Sequence, residues 1–279
     1  MEVLFCGDSN MIDGLLISVL SLINNVTQPL NVHVLTMSLE TPEKSYKAMP
    51  EDFIEFLDSV VGERNGGRVK LYDITELYEQ EPPASNVSTR FTPYCMLRLF
   101  ADRLDLPDRI LYLDTDVICN GDFSQFYDQD MTDCEVAGVL DYYGRWFFRR
   151  NIFKMDYLNS GVLMLNMEQI RKTGLFEKSR EMCRTKKMFM PDQSAINKLA
   201  QNKKICERKY NDQRKQHDDT VFRHFTTSFR FFPWIHTVCV KPWDIERMHS
   251  VLGCHKYDEL LNEYRVLRHR YNNRQEITK

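Results

Sequence analysis

The chain has 279 residues, 43% of them hydrophobic and 28% charged, with 37 Lys and Arg against 40 Asp and Glu for a formal net charge of -3. That composition fits a soluble globular protein with one core, and it excludes a disordered chain and a membrane-embedded one. It also lacks the positive excess of a nucleic-acid binder, so no nucleic-acid partner is expected.

No segment reaches the ~18 unbroken apolar residues of a transmembrane helix. Met1 to Phe5 has no basic n-region, so no signal peptide is expected. The eight cysteines are scattered without a C-x-x-C pair or metal-ligand spacing. They read as reduced thiols, which favours the cytoplasm and argues against structural zinc.

In chain order, Val3 to Cys6 is a short apolar run that reads as a buried strand. It ends in Gly7-Asp8-Ser9-Asn10, after which Leu15, Leu16, Val19, Leu20 and Ile23 recur at helical spacing. A second strand is expected from Leu30 to Thr36. A helix then enters at Thr41-Pro42, with Thr at the N-cap and Pro at the first helical position, and Pro50 divides it. Arg68 to Ile74 reads as a strand and Glu81 to Thr92 as a loop. Pro93 opens a helix through Leu104, and Arg109 to Asp114 is a strand that stops abruptly at acids. Glu135 to Leu140 and Gly161 to Asn166 are further strand candidates.

The polar stretch Asn202 to Asp219 reads as a surface connection. Phe222 to Trp243 is rich in aromatic and β-branched residues, and Tyr257 onward is helical. Alternating strands and helices predict an α/β protein with a helix-covered sheet. The organisation expected is one domain over 1–250 with a helical tail over 251–279.

Asp114-Thr115-Asp116 closes an apolar strand. Side chains alternate along a strand, so the carboxylates at i and i+2 point to the same side and can share one cation. Their oxygens suit Mn²⁺ or Mg²⁺, ions that commonly spend remaining positions on substrate phosphates. A solvated acidic turn is the plainer alternative. Asp8 and Asn10 lie just past another strand's carboxyl end, where open α/β sheets bind ligands, and helix capping is the equal rival. Lys241-Pro242-Trp243 presents a lysine at a strand end, within reach of a phosphate.

Taken together, six ordered blocks resemble glycosyltransferase family 8 over roughly residues 1 to 245. They are Phe5 to Asn10, Tyr112 to Val117, Leu158 to Val162, Asp192-Gln193, His224-Phe225-Thr226 and Lys241-Pro242-Trp243. The resemblance implies a GT-A fold, with a Rossmann-like mixed sheet flanked by helices, and retaining transfer from a UDP-glucose or UDP-galactose donor with Mn²⁺. It implies Asp114 and Asp116 as metal ligands together with a histidine, either His224 in its His-Phe-Thr context or His236, nearer to Lys241. It implies Cys6, Gly7, Asp8, Asn10, Arg98, Thr115, Asn159, Ser160 and Lys241 around the donor, with Gly161 allowing close backbone approach. Asp192 would bind sugar hydroxyls, and Gln193 would face the anomeric carbon. Ser194 stands where relatives often carry another Asp.

Gln193 is a weak nucleophile, which favours same-face attack over a covalent sugar-enzyme intermediate. Asp141 is a candidate to orient an acceptor hydroxyl, and the aromatic and basic run Tyr142 to Phe153 a candidate acceptor wall. The acceptor expected is an oligosaccharide, a glycolipid or a protein-linked glycan. Leu260, Tyr264, Leu267 and Tyr271 share one helical face with arginines nearby, which suits packing on the domain or peripheral contact with the inner face of the membrane. The rival function is a non-catalytic nucleotide-sugar-binding partner of another transferase. A nucleotidyltransferase would need a Gly-rich, basic loop that Cys6 to Asn10 does not provide.

Overall fold

A computed structural model of the protein describes residues 1–41, 44–86, 93–142, 156–230, 234 and 236–277. Seven strands make the principal sheet: β1 (Glu2–Cys6), β2 (Asn31–Thr36), β3 (Arg68–Asp73), β4 (Arg109–Leu113), β5 (Val136–Leu140), β6 (Leu158–Asn166) and β7 (Lys203–Ile205). Their spatial order is β7-β5-β6-β4-β1-β2-β3. Neighbours are parallel except at β6, which runs antiparallel to both β4 and β5.

That one reversal positions the site. The start of β6 comes to the same edge as the carboxyl ends of β1, β4 and β5, with Leu113 paired to Val162. One step further, the Asp114 N–H donates to the Gly161 carbonyl at 2.9 Å, and the Asp141 N–H donates to Tyr157 at 2.8 Å.

The central strands β1, β4, β5 and β6 read as largely apolar runs because both faces of the sheet are covered there. Val3 and Phe5, Leu111 and Leu113 enter one core cluster; Leu4 and Cys6, Ile110 and Tyr112 enter the other. The first cluster packs against α1 (Ile12–Ile23), α2 (Glu51–Asn65) and, at the chain's end, α5 (Asp258–Ile277). The second packs against α3 (Leu175–Thr185), α4 (Pro191–Leu199) and a 3₁₀ helix, Pro93–Arg103. The helix expected from Pro93 is therefore present, in the tighter winding.

Three readings of the sequence differ from the structure. Thr41 does not cap a helix: its hydroxyl donates to the Lys44 carbonyl at 2.7 Å and accepts from the Lys44 N–H at 2.9 Å. It thereby closes a turn between the short paired strands Leu39–Glu40 and Ser45–Tyr46. Pro42 lies outside the described residues, and Pro50 precedes α2 as its N-cap residue rather than dividing it. Asn202 to Asp219 is no mere surface connection, since it supplies edge strand β7 and then buries Tyr210, Asn211, Asp212 and Gln213. The apolar face of α5 is spent on its own body: Leu261, Tyr264, Leu267 and Tyr271 are all buried in the first cluster.

Candidate active site

Two short strands carry the acidic pair to its neighbours. Val117–Cys119 pairs antiparallel with Phe222–His224, with Val117 opposite His224, and the Phe225 N–H donates to the Asp116 carbonyl at 3.0 Å. His224 Nε2 consequently lies 3.2 Å from Asp116 Oδ1 and 3.7 Å from Asp114 Oδ2, and the three residues form a group able to hold a metal ion. The side chain of His236 lies outside the described residues.

Gly161 makes this approach feasible. A Cβ there would stand 2.1 Å from His224 Cε1 and 2.8 Å from Asp114 Oδ2. Gly14 of α1 is similarly tight, since its Cβ would lie 2.7 Å from both the Thr115 carbonyl and the Trp243 ring. The loop bearing the acids is thus clamped between α1 and β6.

Asp116 is held on one side only. Lys241 Nζ donates to Asp116 Oδ2 and, at 3.1 Å, to the Phe225 carbonyl, while Asp116 Oδ1 is buried without a hydrogen bond. A buried carboxylate oxygen without a donor is costly, and a cation is the natural partner for two carboxylates and an imidazole nitrogen. These residues therefore fit a divalent ion. Burial pushes the Asp116 carboxyl up, yet the opposing charges around it, Lys241 foremost, outweigh burial and hold it below its ordinary value. Burial lowers Lys241, but the same carboxylate overcomes that and raises it.

Behind the pair sits Arg98, only 2% exposed. Its guanidinium reaches Asp114 Oδ1 at 3.1 Å and Asp192 Oδ2 at 3.3 Å, donates to the Ser160 carbonyl, and lies 3.8 Å over the Tyr112 ring. Desolvation opposes its charge, but Tyr112 and the two acids outweigh it and push its pKa up. Asp192 is raised chiefly by burial, with Arg98 offsetting part of that.

The residues expected around the sugar form one network. Asp141 Oδ2 accepts from Asn159 Nδ2 and Gln193 Nε2, both at 3.0 Å. The Ser160 N–H donates to Gln193 Oε1 at 2.9 Å, and Ser160 Oγ lies 3.4 Å from Asp192 Oδ2. Ser194 bonds the Tyr157 hydroxyl at 3.0 Å. On the β1 side Asp8 is 2% exposed, accepting from the Asn10 backbone at 3.1 Å and from Asn10 Nδ2 at 2.8 Å. The capping role is therefore realised, with Asn10 itself exposed. Gly7 is buried, and burial pushes the Cys6 thiol up to about 12, so Cys6 is an inert lining group.

Comparison with known proteins agrees with this geometry. Residues 2–245 match the model of Glycosyl transferase family 8. The chain belongs to that family. A lipopolysaccharide 1,2-glucosyltransferase of Escherichia coli is 28% identical over 260 residues, 81% of this chain and 71% of the relative. A lipopolysaccharide 1,3-galactosyltransferase of Salmonella typhimurium is 26% identical over 200 residues, 65% of this chain and 59% of the relative. Among solved structures, galactosyltransferase LgtC in complex with donor and acceptor sugar analogs superposes with a TM-score of 0.66 at 18% identity, covering 94% of this chain and 96% of that one. This family 8 glycosyltransferase accordingly has the GT-A fold, a mixed sheet flanked by helices.

Several site residues escape sequence reasoning. Asn211, 1% exposed, donates to Asn159 Oδ1 at 2.9 Å and lies 3.2 Å from His224 Nδ1; Gln213 accepts from the Tyr142 N–H at 2.8 Å. The available signal was a cluster of amides beside an aromatic, Tyr210-Asn211-Asp212-Gln213, within a polar stretch. Tyr142 also accepts from Arg214 at 2.7 Å, while residues 143–155, which include the rest of the candidate acceptor wall, lie outside the described residues.

Proposed function

We propose that this family 8 enzyme transfers a hexose, glucose or galactose, from a UDP-sugar to a glycan or glycolipid acceptor, retaining the anomeric configuration, with Mn²⁺ or Mg²⁺ held by Asp114, Asp116 and His224. The observation that carries this reading is the unpaired, buried Oδ1 of Asp116 facing His224 Nε2 at 3.2 Å. The names of the relatives, glucosyl- and galactosyltransferases acting on lipopolysaccharide, support the choice of sugar and acceptor.

The ion, when bound, supplies charge that offsets the departing diphosphate. The chain's residues do the rest. Lys241, 29% exposed at its side chain, adds a second positive charge on the same side. Arg98 bridges Asp114 and Asp192 from the buried side of the site. Asp8, Asn10 and Thr115, with Cys6 and Gly7, line the nucleotide side. Asn159 and Ser160 flank the donor sugar, and Asp192 accepts from its hydroxyls.

Gln193 uses its amide oxygen on Ser160 and its nitrogen on Asp141, which leaves it a positioning group rather than a nucleophile. The acceptor hydroxyl, oriented by Asp141, then attacks from the face the diphosphate leaves. Its proton passes to a diphosphate oxygen as the bond to the anomeric carbon breaks.

No helix among the described residues is long and apolar enough to cross a membrane. With the apolar face of α5 buried, two of its exposed arginines, Arg265 and Arg270, are the residues we assign to contact with an anionic membrane surface.

The test is release of UDP from UDP-glucose and UDP-galactose, with and without Mn²⁺. Turnover that needs the metal supports the proposal; donor binding with no turnover on any donor or acceptor would establish the binding-partner function instead.

A further inference from the structure

The hydrogen-bond chain behind the acidic pair can run with only one polarity. Two backbone N–H groups fix it, because such a group can only donate. Ser160 N–H points at Gln193 Oε1 at 2.9 Å, and Gly161 N–H points at Asn159 Oδ1 at 3.0 Å. Both amide nitrogens are thereby turned to Asp141 Oδ2, at 3.0 Å each.

Asn159 Oδ1, an acceptor, also faces Asn211, so the Asn211 atom 2.9 Å away must be its nitrogen. That leaves Asn211 Oδ1 at 3.2 Å from His224 Nδ1. An amide oxygen cannot donate, so the imidazole proton must sit on Nδ1.

We propose that Asn211, itself oriented by Asn159 and Asp141, is a positioning residue that locks His224 as the Nδ1–H tautomer and presents a bare Nε2 to Asp114 and Asp116. In that tautomer Nε2 stands as an acceptor 3.2 Å from Asp116 Oδ1, in keeping with the lack of a hydrogen bond at that oxygen. Such an acceptor-only set suits a cation, and fixing a histidine ligand through its second nitrogen is how proteins orient metal-binding imidazoles. The consequence for metal binding rests on the function proposed above. The tautomer belongs to the metal-free protein.

The experiment is long-range proton–nitrogen correlation NMR of metal-free, ¹⁵N-histidine-labelled protein at mildly alkaline pH, with His224 assigned from its missing signals in His224→Gln. The expected spectrum has His224 protonated at Nδ1 and bare at Nε2. Asn211→Asp, which keeps an acceptor at Nδ1, should retain that pattern. Asn211→Leu should shift the proton to Nε2, with Mn²⁺ affinity down by about 10- to 100-fold.

A wild-type signal protonated at Nε2 overturns the proposal. So does an Asn211→Leu protein that melts normally with its tautomer unchanged. If Asn211→Leu does not fold, the wild-type spectrum decides alone. A protein with the Nδ1–H tautomer that takes up no Mn²⁺ supports the relay and defeats only the metal reading.

Discussion

Lys241 binds one carboxylate oxygen of Asp116 and leaves the other buried and unpaired beside His224. The lysine thus orients the acid while leaving Oδ1 for a cation. Asp116→Ala should abolish metal-dependent UDP release, lowering kcat/KM on the order of 10²-fold or more. Mn²⁺ titration followed by electron paramagnetic resonance should show the ion staying free. Unchanged manganese-dependent turnover in this variant would reject Asp116 as a ligand.

The same pair predicts a pH dependence. With burial raising it and the opposing charges, Lys241 foremost, more than reversing that, the Asp116 carboxyl sits below its ordinary 3.8 in the fold. A depressed carboxyl contributes stability in full above its unfolded value and loses it as pH falls from there through the folded value. Metal-free wild type should therefore lose melting temperature below about pH 4 more steeply than Asp116→Asn. Asp192, raised mainly by burial, has the opposite sign, but it is present in both proteins and cancels in the comparison.

How much of this was legible in the sequence depends on what each residue's neighbours are. Val3 to Cys6 and Arg109 to Leu113 read correctly as strands because a sheet covered on both faces writes itself as apolar runs. The acids ending the second run stand out by contrast. Asn211 and Gln213 leave only a faint trace, two amides close to Tyr210, since their partners are Asn159, His224 and Tyr142, far away in sequence. A buried amide satisfied by other side chains has the same hydropathy as a solvated one. Thr41 misled because a hydroxyl serves a helix cap and a tight turn equally well. The stripe on α5 identified a buried face without saying against what.

Arg98→Met should show what a buried charge between two acids is worth. The substitution leaves Asp114 and Asp192 facing each other without their cation, and breaking a buried ion pair in this way costs about 3–5 kcal/mol. Urea unfolding should show that loss; a change within 1 kcal/mol would mean that water or proton uptake replaces the guanidinium.

Gly161→Ala should act on His224 rather than on the strand. The new methyl would fall 2.1 Å from the His224 ring, so the ring must move away from Asp114 and Asp116. Overpacking of this kind costs about 1–3 kcal/mol. Mn²⁺ affinity should fall with stability, and a variant that keeps wild-type affinity would show that the ring is not the ligand.

The C-terminal helix separates packing from surface contact. Tyr271 meets Phe53 and Phe56 edge-on and tilted, at 5.4 and 5.5 Å between ring centres, and its hydroxyl donates to Asp52 Oδ2 at 3.0 Å. Tyr271→Ala should destabilise the protein by about 3 kcal/mol or more, read as a lower midpoint in urea, because truncating a buried aromatic leaves a cavity. Arg265→Glu with Arg270→Glu should leave that midpoint in place, since both side chains are exposed. If α5 meets an anionic surface through them, the double variant should sediment less with phosphatidylglycerol vesicles at low salt. Equal sedimentation of the double variant and wild type would confine α5 to its structural role.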